Sequence, residues 1–146
     1  MRITQEADYA LRMVYYLAST KGFVDAKSIA EATGTPERFT LKILRKLLVA
    51  GFLSSQKGVG GGYSMAADPN TLTMKDVIEL IDGPVSISRC SESEHICSRV
   101  GECKGECTFH CIFEKINGLL SDKLGSVSIA MVCGGEYTTE EILEKI

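Results

Sequence analysis

The chain has 146 residues, 45% of them hydrophobic and 24% charged, and a formal net charge of −3 at pH 7. This is the composition of a globular protein of one domain, or of one domain with an appendage, and it excludes a disordered or fibrous chain. No apolar run approaches the roughly 18 residues of a membrane span, and a slightly acidic chain can meet nucleic acid only through a local basic patch.

Near the start, Ala10, Met13, Val14, Leu17 and Ala18 recur with the spacing of an amphipathic helix between Gln5 and Ser19, with Asp8, Arg12, Tyr15 and Ser19 on its other face. Glu6, Asp8 and Arg12 interrupt what would otherwise resemble a signal-peptide core, and no small-residue cleavage site follows, so a cytoplasmic chain is expected. A second helix is predicted over Lys27 to Thr33, capped by Asp25 and stopped by Gly34. A third follows at once, with Thr35 as its N-cap and Pro36 at its first position. Phe39, Leu41, Ile43, Leu44, Leu47 and Leu48 form its buried side as far as Gly51. The tight turn between these two helices is the mark of a helix-turn-helix.

Phe52 to Gln56 and Tyr63 to Ala66 then read as two strands around the glycine-rich turn Lys57 to Gly62, a hairpin of the kind called a wing. Tyr63 stands where a dinucleotide fingerprint needs its third glycine, and no helix follows directly, so a nucleotide loop is not expected. Cations fall where a winged helix-turn-helix would use them. Arg38, Lys42 and Arg45 share one helical face, with Lys46 beside them and Lys57 at the wing. Such a face can also be merely solvated; its place before a glycine wing favours DNA. Glu37, Arg38 and Lys42 would read bases, Arg45, Lys46 and Lys57 would bridge phosphates, and Gly60, Gly61 and Tyr63 would carry the wing's close approach.

Beyond Pro69, Thr73 caps a helix through Leu80 or Ile81, ended by Asp82, Gly83 and Pro84. Five of the six cysteines follow in one stretch: Cys90, Cys97, Cys103, Cys107 and Cys111, with His110 beside the last. In a reducing compartment this density points to metal or thiol chemistry rather than disulfides. The stretch lacks periodicity, so a bound metal would be its organiser. The C-x2-C pairs of structural zinc sites are missing, which favours an iron-sulfur cluster, [2Fe-2S] or [4Fe-4S], with zinc the second choice. Neither His95 nor Cys133 is assigned a role. A long helix from Thr108 to Leu124, with Ile112, Ile116, Leu119 and Leu120 in a stripe and Phe113 beside it, is a dimer element or a cover for its own domain. Thr138 and Glu141 form a capping box for a last short helix.

The expected architecture is therefore mainly α with a small β-hairpin: a winged helix-turn-helix over 1–83, a cysteine-rich segment over 84–111, and a dimerisation helix with its tail over 108–146. No catalytic triad, carboxylate pair or nucleotide loop is recognisable, so an enzyme is not expected. The runs Ser28-Ile29-Ala30, Leu44 to Leu47, Gly51-Phe52-Leu53 and above all Lys57-Gly58-Val59-Gly60-Gly61-Gly62-Tyr63 resemble the Rrf-two family of bacterial winged-helix transcription regulators. The openings Met1-Arg2-Ile3-Thr4 and Tyr9-Ala10 fit the same family, and the likeness covers nearly the whole chain.

The resemblance implies a homodimeric, cytoplasmic, DNA-binding regulator, a repressor, joined through its first and long helices. In members of the iron-sulfur cluster regulator and nitric-oxide-sensitive repressor type, three cysteines before the long helix hold a cluster. Those members have a C-x5-C-x5-C loop; here Cys97-x5-Cys103 is followed by Cys107 after three residues and Cys111 after three more. The likeness implies Cys97, Cys103 and Cys107 as the ligands, with Cys90 and Cys111 as further candidates. Asp8 matches an aspartate on the first helix that supplies a fourth ligand in the nitric-oxide-sensitive type, and His110 could imitate the histidine used by the other. A bland alternative for Asp8 is an i, i+4 ion pair with Arg12. Two rival readings remain open: a cluster-free member governing cysteine metabolism with a partner enzyme, and a metal or electron-transfer module that does not bind DNA.

Overall fold

In this computed structural model, which describes residues 3–91 and 107–146, the Thr4 hydroxyl accepts from the Ala7 amide and opens α1 (Gln5–Ala18). One face of α1, with Ala10, Met13, Val14 and Leu17, is completely or almost completely buried. Asp25 caps α2 (Ala26–Thr33) by accepting from the Lys27 and Ser28 amides, and Gly34 ends it in the left-handed region at φ 65°. α3 (Glu37–Val49) contributes Ile43, Leu44 and Leu47, all fully buried against α1. Burying each such side chain is worth about 1.5–3 kcal/mol, so this three-helix contact is the foundation of the domain.

Two expectations about α3 are corrected. Pro36, not Thr35, occupies the N-cap position, and no side chain caps the helix. Thr35 is buried instead, with its hydroxyl hydrogen-bonded to Thr33 Oγ1 at 2.9 Å, while the Thr33 hydroxyl donates to the Ile29 carbonyl. Leu41, placed in the buried side, is 57% exposed, because Thr40, Ile43, Leu44 and Leu47 already fill the inward arc.

The wing is β1 (Leu53–Gln56) paired antiparallel with β2 (Gly62–Met65), in the register Leu53 to Met65 and Gln56 to Gly62. A third piece of backbone joins it: the Val24 amide donates to the Tyr63 carbonyl at 2.9 Å and the Tyr63 amide to the Val24 carbonyl at 2.8 Å. This bridge ties the wing to the residues that precede α2, and the hairpin pattern alone did not announce it.

α4 (Met74–Asp82) starts with a capping box, in which Asp76 donates its amide to Thr73 Oγ1 at 3.2 Å and its carboxylate accepts from the Thr73 amide at 2.8 Å. Removing this cap by Thr73→Ala is expected to cost about 1 kcal/mol and a few degrees of melting temperature, whereas Thr73→Ser, which keeps the capping hydroxyl, should lose little; a wild-type melt for the alanine variant would show the cap to be idle. Asp82, at the other end of α4, accepts from both the Thr4 amide (2.9 Å) and the Thr4 hydroxyl, so the end of α4 is fixed to the start of α1.

After α4 a 3₁₀ turn (Arg89–Ser91) packs on α5 (Thr108–Gly125), and the Asn117 carboxamide of α5 accepts from the Ile87 amide at 2.9 Å. Asn117 is the one residue of α5 that is buried. The chain then returns to the winged-helix body: α6 (Ile129–Cys133) packs on α1, and the Met74 and Ile129 amides donate to the Val127 and Leu72 carbonyls at 2.9 and 2.8 Å. α7 (Thr139–Lys145) has the expected Thr138–Glu141 capping box. Among the described residues no helix is long and apolar enough to cross a membrane.

Candidate nucleic-acid interface and metal-ligating residues

The inward arc of α3 leaves Arg38, Lys42, Arg45 and Val49 on the opposite face, one above another at three- and four-residue spacing. Their surroundings differ. Arg38 lies over the Phe39 ring, 5.0 Å from its centroid, a cation–π contact. Arg45 is exposed and has no ion-pair partner among the described residues. Lys42 Nζ and Lys46 Nζ, by contrast, both reach back to Glu6 of α1, at 2.7 Å from its Oε2 and Oε1 respectively. These two hydrogen-bonded ammonium groups hold the Glu6 carboxyl below its ordinary pKa of 4.5. Glu37 stands exposed in the first turn of α3, where an acidic side chain suits the helix dipole.

At the wing, Lys57 is exposed and Val59 stands fully open to solvent at the tip. An apolar residue flanked by glycines at a turn is the local signal that marks Val59 in the sequence. The glycines serve the hairpin itself. A Cβ on Gly61 would lie 2.2 Å from the Gln56 carbonyl oxygen, and one on Gly62 would lie 2.2 Å from that of Val24, so these two positions admit no side chain. Gly60 sits in the turn at φ 76° with open space around it, and Tyr63 is half buried, packed on the core and bridged to Val24.

Of the candidate metal ligands, Cys97 and Cys103 lie outside the described residues, as does His95. Cys107 is the N-cap of α5 in an extended conformation, and its carbonyl accepts from the Cys111 amide at 3.0 Å, so the two cysteines lie one turn apart. Cys111 is exposed and His110 half buried. Cys90 lies in the 3₁₀ turn that packs on α5, with its Sγ 3.1 Å from Ser88 Oγ. The Asp8 carboxylate pairs with Arg12 at 2.6 Å, with both side chains about half exposed, as the i, i+4 reading anticipated. Among the described residues no three potential ligands come together. The donors fit a thiolate-held group in chemistry: soft sulfurs on the first turn of α5, where the helix start favours an anion, and a further sulfur on the turn packed against that helix. Cys133 has a different use, since its thiol donates to the Ile129 carbonyl at 2.8 Å and burial pushes its pKa up.

The sequence matches the profile of Rrf2, described as an iron-dependent transcriptional regulator, over residues 3–135. The chain belongs to the Rrf2 family. Among its relatives, the HTH-type transcriptional regulator IscR of Vibrio parahaemolyticus is 27% identical over 148 aligned positions, covering 99% of this chain and 82% of that protein. IscR of Xenorhabdus nematophila is 28% identical, over 88% of this chain and 77% of that one. Two solved structures share the fold with a TM-score of 0.72. IscR of T. potens is 24% identical and covers 93% of this chain and 89% of its own; CymR, the global cysteine regulator of B. subtilis, is 23% identical and covers 94% and 99%. The Rrf2 winged-helix architecture anticipated from the glycine-rich wing is thus the one observed, and this member is a transcriptional regulator whose relatives carry helix-turn-helix names.

Proposed function

We propose that this Rrf2 regulator is a homodimeric, cytoplasmic repressor that binds an operator through α3 and the wing, with its operator affinity set by an iron-sulfur cluster. The observation that carries the DNA reading is the outward face of α3, with Arg38, Lys42 and Arg45 in line, beside a hairpin that presents Lys57. Glu37, Arg38 and Lys42 read base edges; Arg45, Lys46 and Lys57 neutralise phosphates; the glycine turn lets the wing lie close to the backbone. The division into winged helix, cysteine segment and dimerisation helix at 1–83, 84–111 and 108–146 belongs to the same proposal.

Two open apolar surfaces support the dimer. α5 exposes Phe109, Ile112, Ile116 and Leu119 as a stripe, and α1 with α6 borders a groove of about 480 Å³ lined by Leu11, Tyr15, Tyr16, Ile129 and Val132 among others. Uncovered apolar surface of this kind marks an interaction site. A second copy of α5 laid along α1 would cover both.

Cys97, Cys103 and Cys107 would hold the cluster, with Asp8 or His110 as fourth ligand and Cys90 and Cys111 in reserve. Such a group would supply iron-bound sulfur open to oxidation or nitrosylation, and so a sensing chemistry for redox state, iron or nitric oxide. This chain's own part is to hold Asp8 at Arg12 on the dimer-facing helix and to join the cysteine segment directly to α5, so that a change at the sulfurs alters the spacing of two recognition helices. A cysteine-metabolism role without a cluster is the second reading, favoured by the structural likeness to CymR.

Fluorescence anisotropy on operator and random duplexes tests the DNA assignment. Lys57→Ala should weaken binding to every sequence and lower the salt slope by about one unit, as loss of one phosphate contact requires; a loss confined to one sequence would move Lys57 to base reading.

A further inference from the structure

Glu6 takes no part in the roles just described, yet it is the most engaged acidic side chain of the recognition surface. It sits on the first turn of α1 with only 19% of its side chain exposed, and its carboxylate meets two ammonium groups: Oε2 accepts a hydrogen bond from Lys42, and Oε1 is in ion-pair contact with Lys46, at 2.7 Å each. The two lysines lie four residues apart on α3, so one carboxylate spans a full turn of that helix. The position of Glu6 is itself fixed, since the residue that caps α1, Thr4, is bonded through its amide to Asp82.

We propose that Glu6 is an intramolecular counter-anion for the recognition helix, a positioning residue that holds Lys46, and on random DNA also Lys42 where it has no base edge to read, back from phosphate and so suppresses sequence-independent DNA binding. The inference rests on the DNA-binding reading of α3. Of the four cations of α3, Arg38, Lys42, Arg45 and Lys46, two are neutralised in part before DNA arrives, which leaves Arg38 and Arg45 as the open charges on that face. Backbone phosphate is offered equally by every duplex, so an acid that competes with it lowers the affinity for all sequences alike. A cognate site recovers the loss through base contacts, and random DNA cannot. Glu6 therefore lowers both affinities by the same factor, which takes weak random binding below occupancy while a cognate site, with its added base contacts, stays bound.

The test uses the full-length chain, a fluorescein-labelled random-sequence duplex and a potassium chloride series. Glu6→Gln removes the charge at nearly constant shape. It should bind random DNA roughly tenfold more tightly at low salt, with a plot of log affinity against log salt steeper by about 0.9 to 1.8, the slope of one or two added phosphate contacts. Adding Lys42→Gln to Glu6→Gln should return much of that slope. Glu6→Asp keeps the charge but is too short to span both lysines, and should lie between. A merely structural Glu6 would change thermal stability without changing the salt slope. If the wild type binds the duplex and Glu6→Gln and Glu6→Asp both keep its slope, the counter-anion role is wrong and the DNA reading survives. If the wild type binds no duplex DNA at low salt, both fall together.

Discussion

Replacing Cys107 with alanine is expected to leave the anaerobically purified protein without iron, acid-labile sulfide or visible absorbance, while Cys111→Ala keeps all three. The two residues are one turn apart, so the contrast is demanding. Cys107 stands at the N-cap, where the cysteine segment meets α5 and where its extended backbone still belongs to that segment. Cys111 is already inside the helix and exposed. A cluster held by three thiolates has little tolerance for losing one, since the remaining ligands must also balance its charge and cap its irons. Iron and sulfide counts on both variants decide the matter. Retention in Cys107→Ala with loss in Cys111→Ala would transfer the third ligand to Cys111; a wild type that carries zinc and no sulfide would replace the cluster by a closed zinc site and leave the winged helix untouched.

The second large effect is expected at Gly62. Its φ is 146°, and a Cβ there would lie 2.2 Å from the Val24 carbonyl oxygen and 2.8 Å from the Asp25 amide nitrogen. Gly62→Ala must therefore push Val24 away from Tyr63 and break two backbone hydrogen bonds, each worth about 0.5–1.5 kcal/mol net, and also bears about 1–3 kcal/mol of backbone strain. A loss of about 3 kcal/mol follows, or roughly 6–12 °C in melting temperature for a chain of this size. Gly58→Ala is the control, with a φ of 98° but nothing within 4 Å of the added methyl, so only the conformational strain should appear. Thermal unfolding of the pair settles it, and equal losses would mean that the Val24 bridge yields without cost.

Most of the helical frame could be read before any coordinates, because the caps are local. Asp25, Gly34, Thr73 and the Thr138–Glu141 pair announced their helix ends correctly, each through a side chain or backbone conformation that depends on residues within a few positions. The failures were of two kinds. At Thr35 a good capping residue was drawn into a buried hydroxyl pair with Thr33, and tertiary packing overrode propensity. At Leu41 an apolar residue was counted into the core although four neighbours had filled the inward arc, an error of angle rather than of hydrophobicity. The Val24–Tyr63 bridge and the Glu6–Lys42–Lys46 link join residues about 40 positions apart, and no local pattern carries such contacts. For the same reason the cations of α3 were legible as a face, but which of them were already engaged was not.

The Asn117 carboxamide that holds Ile87 gives the cysteine segment two roots on one helix: its far end becomes the first turn of α5, and its near end is bonded to the middle of the same helix. Most of the chain entropy of forming a ring is thus spent when the protein folds, whether or not a metal is present, because the ends of the ring are already brought to a common support. A ligand captured within it has only the remaining slack to remove. In the cluster-bound regulator proposed above, a change in the metal–sulfur bonds would therefore reach one eighteen-residue helix at two places, its first turn and Asn117.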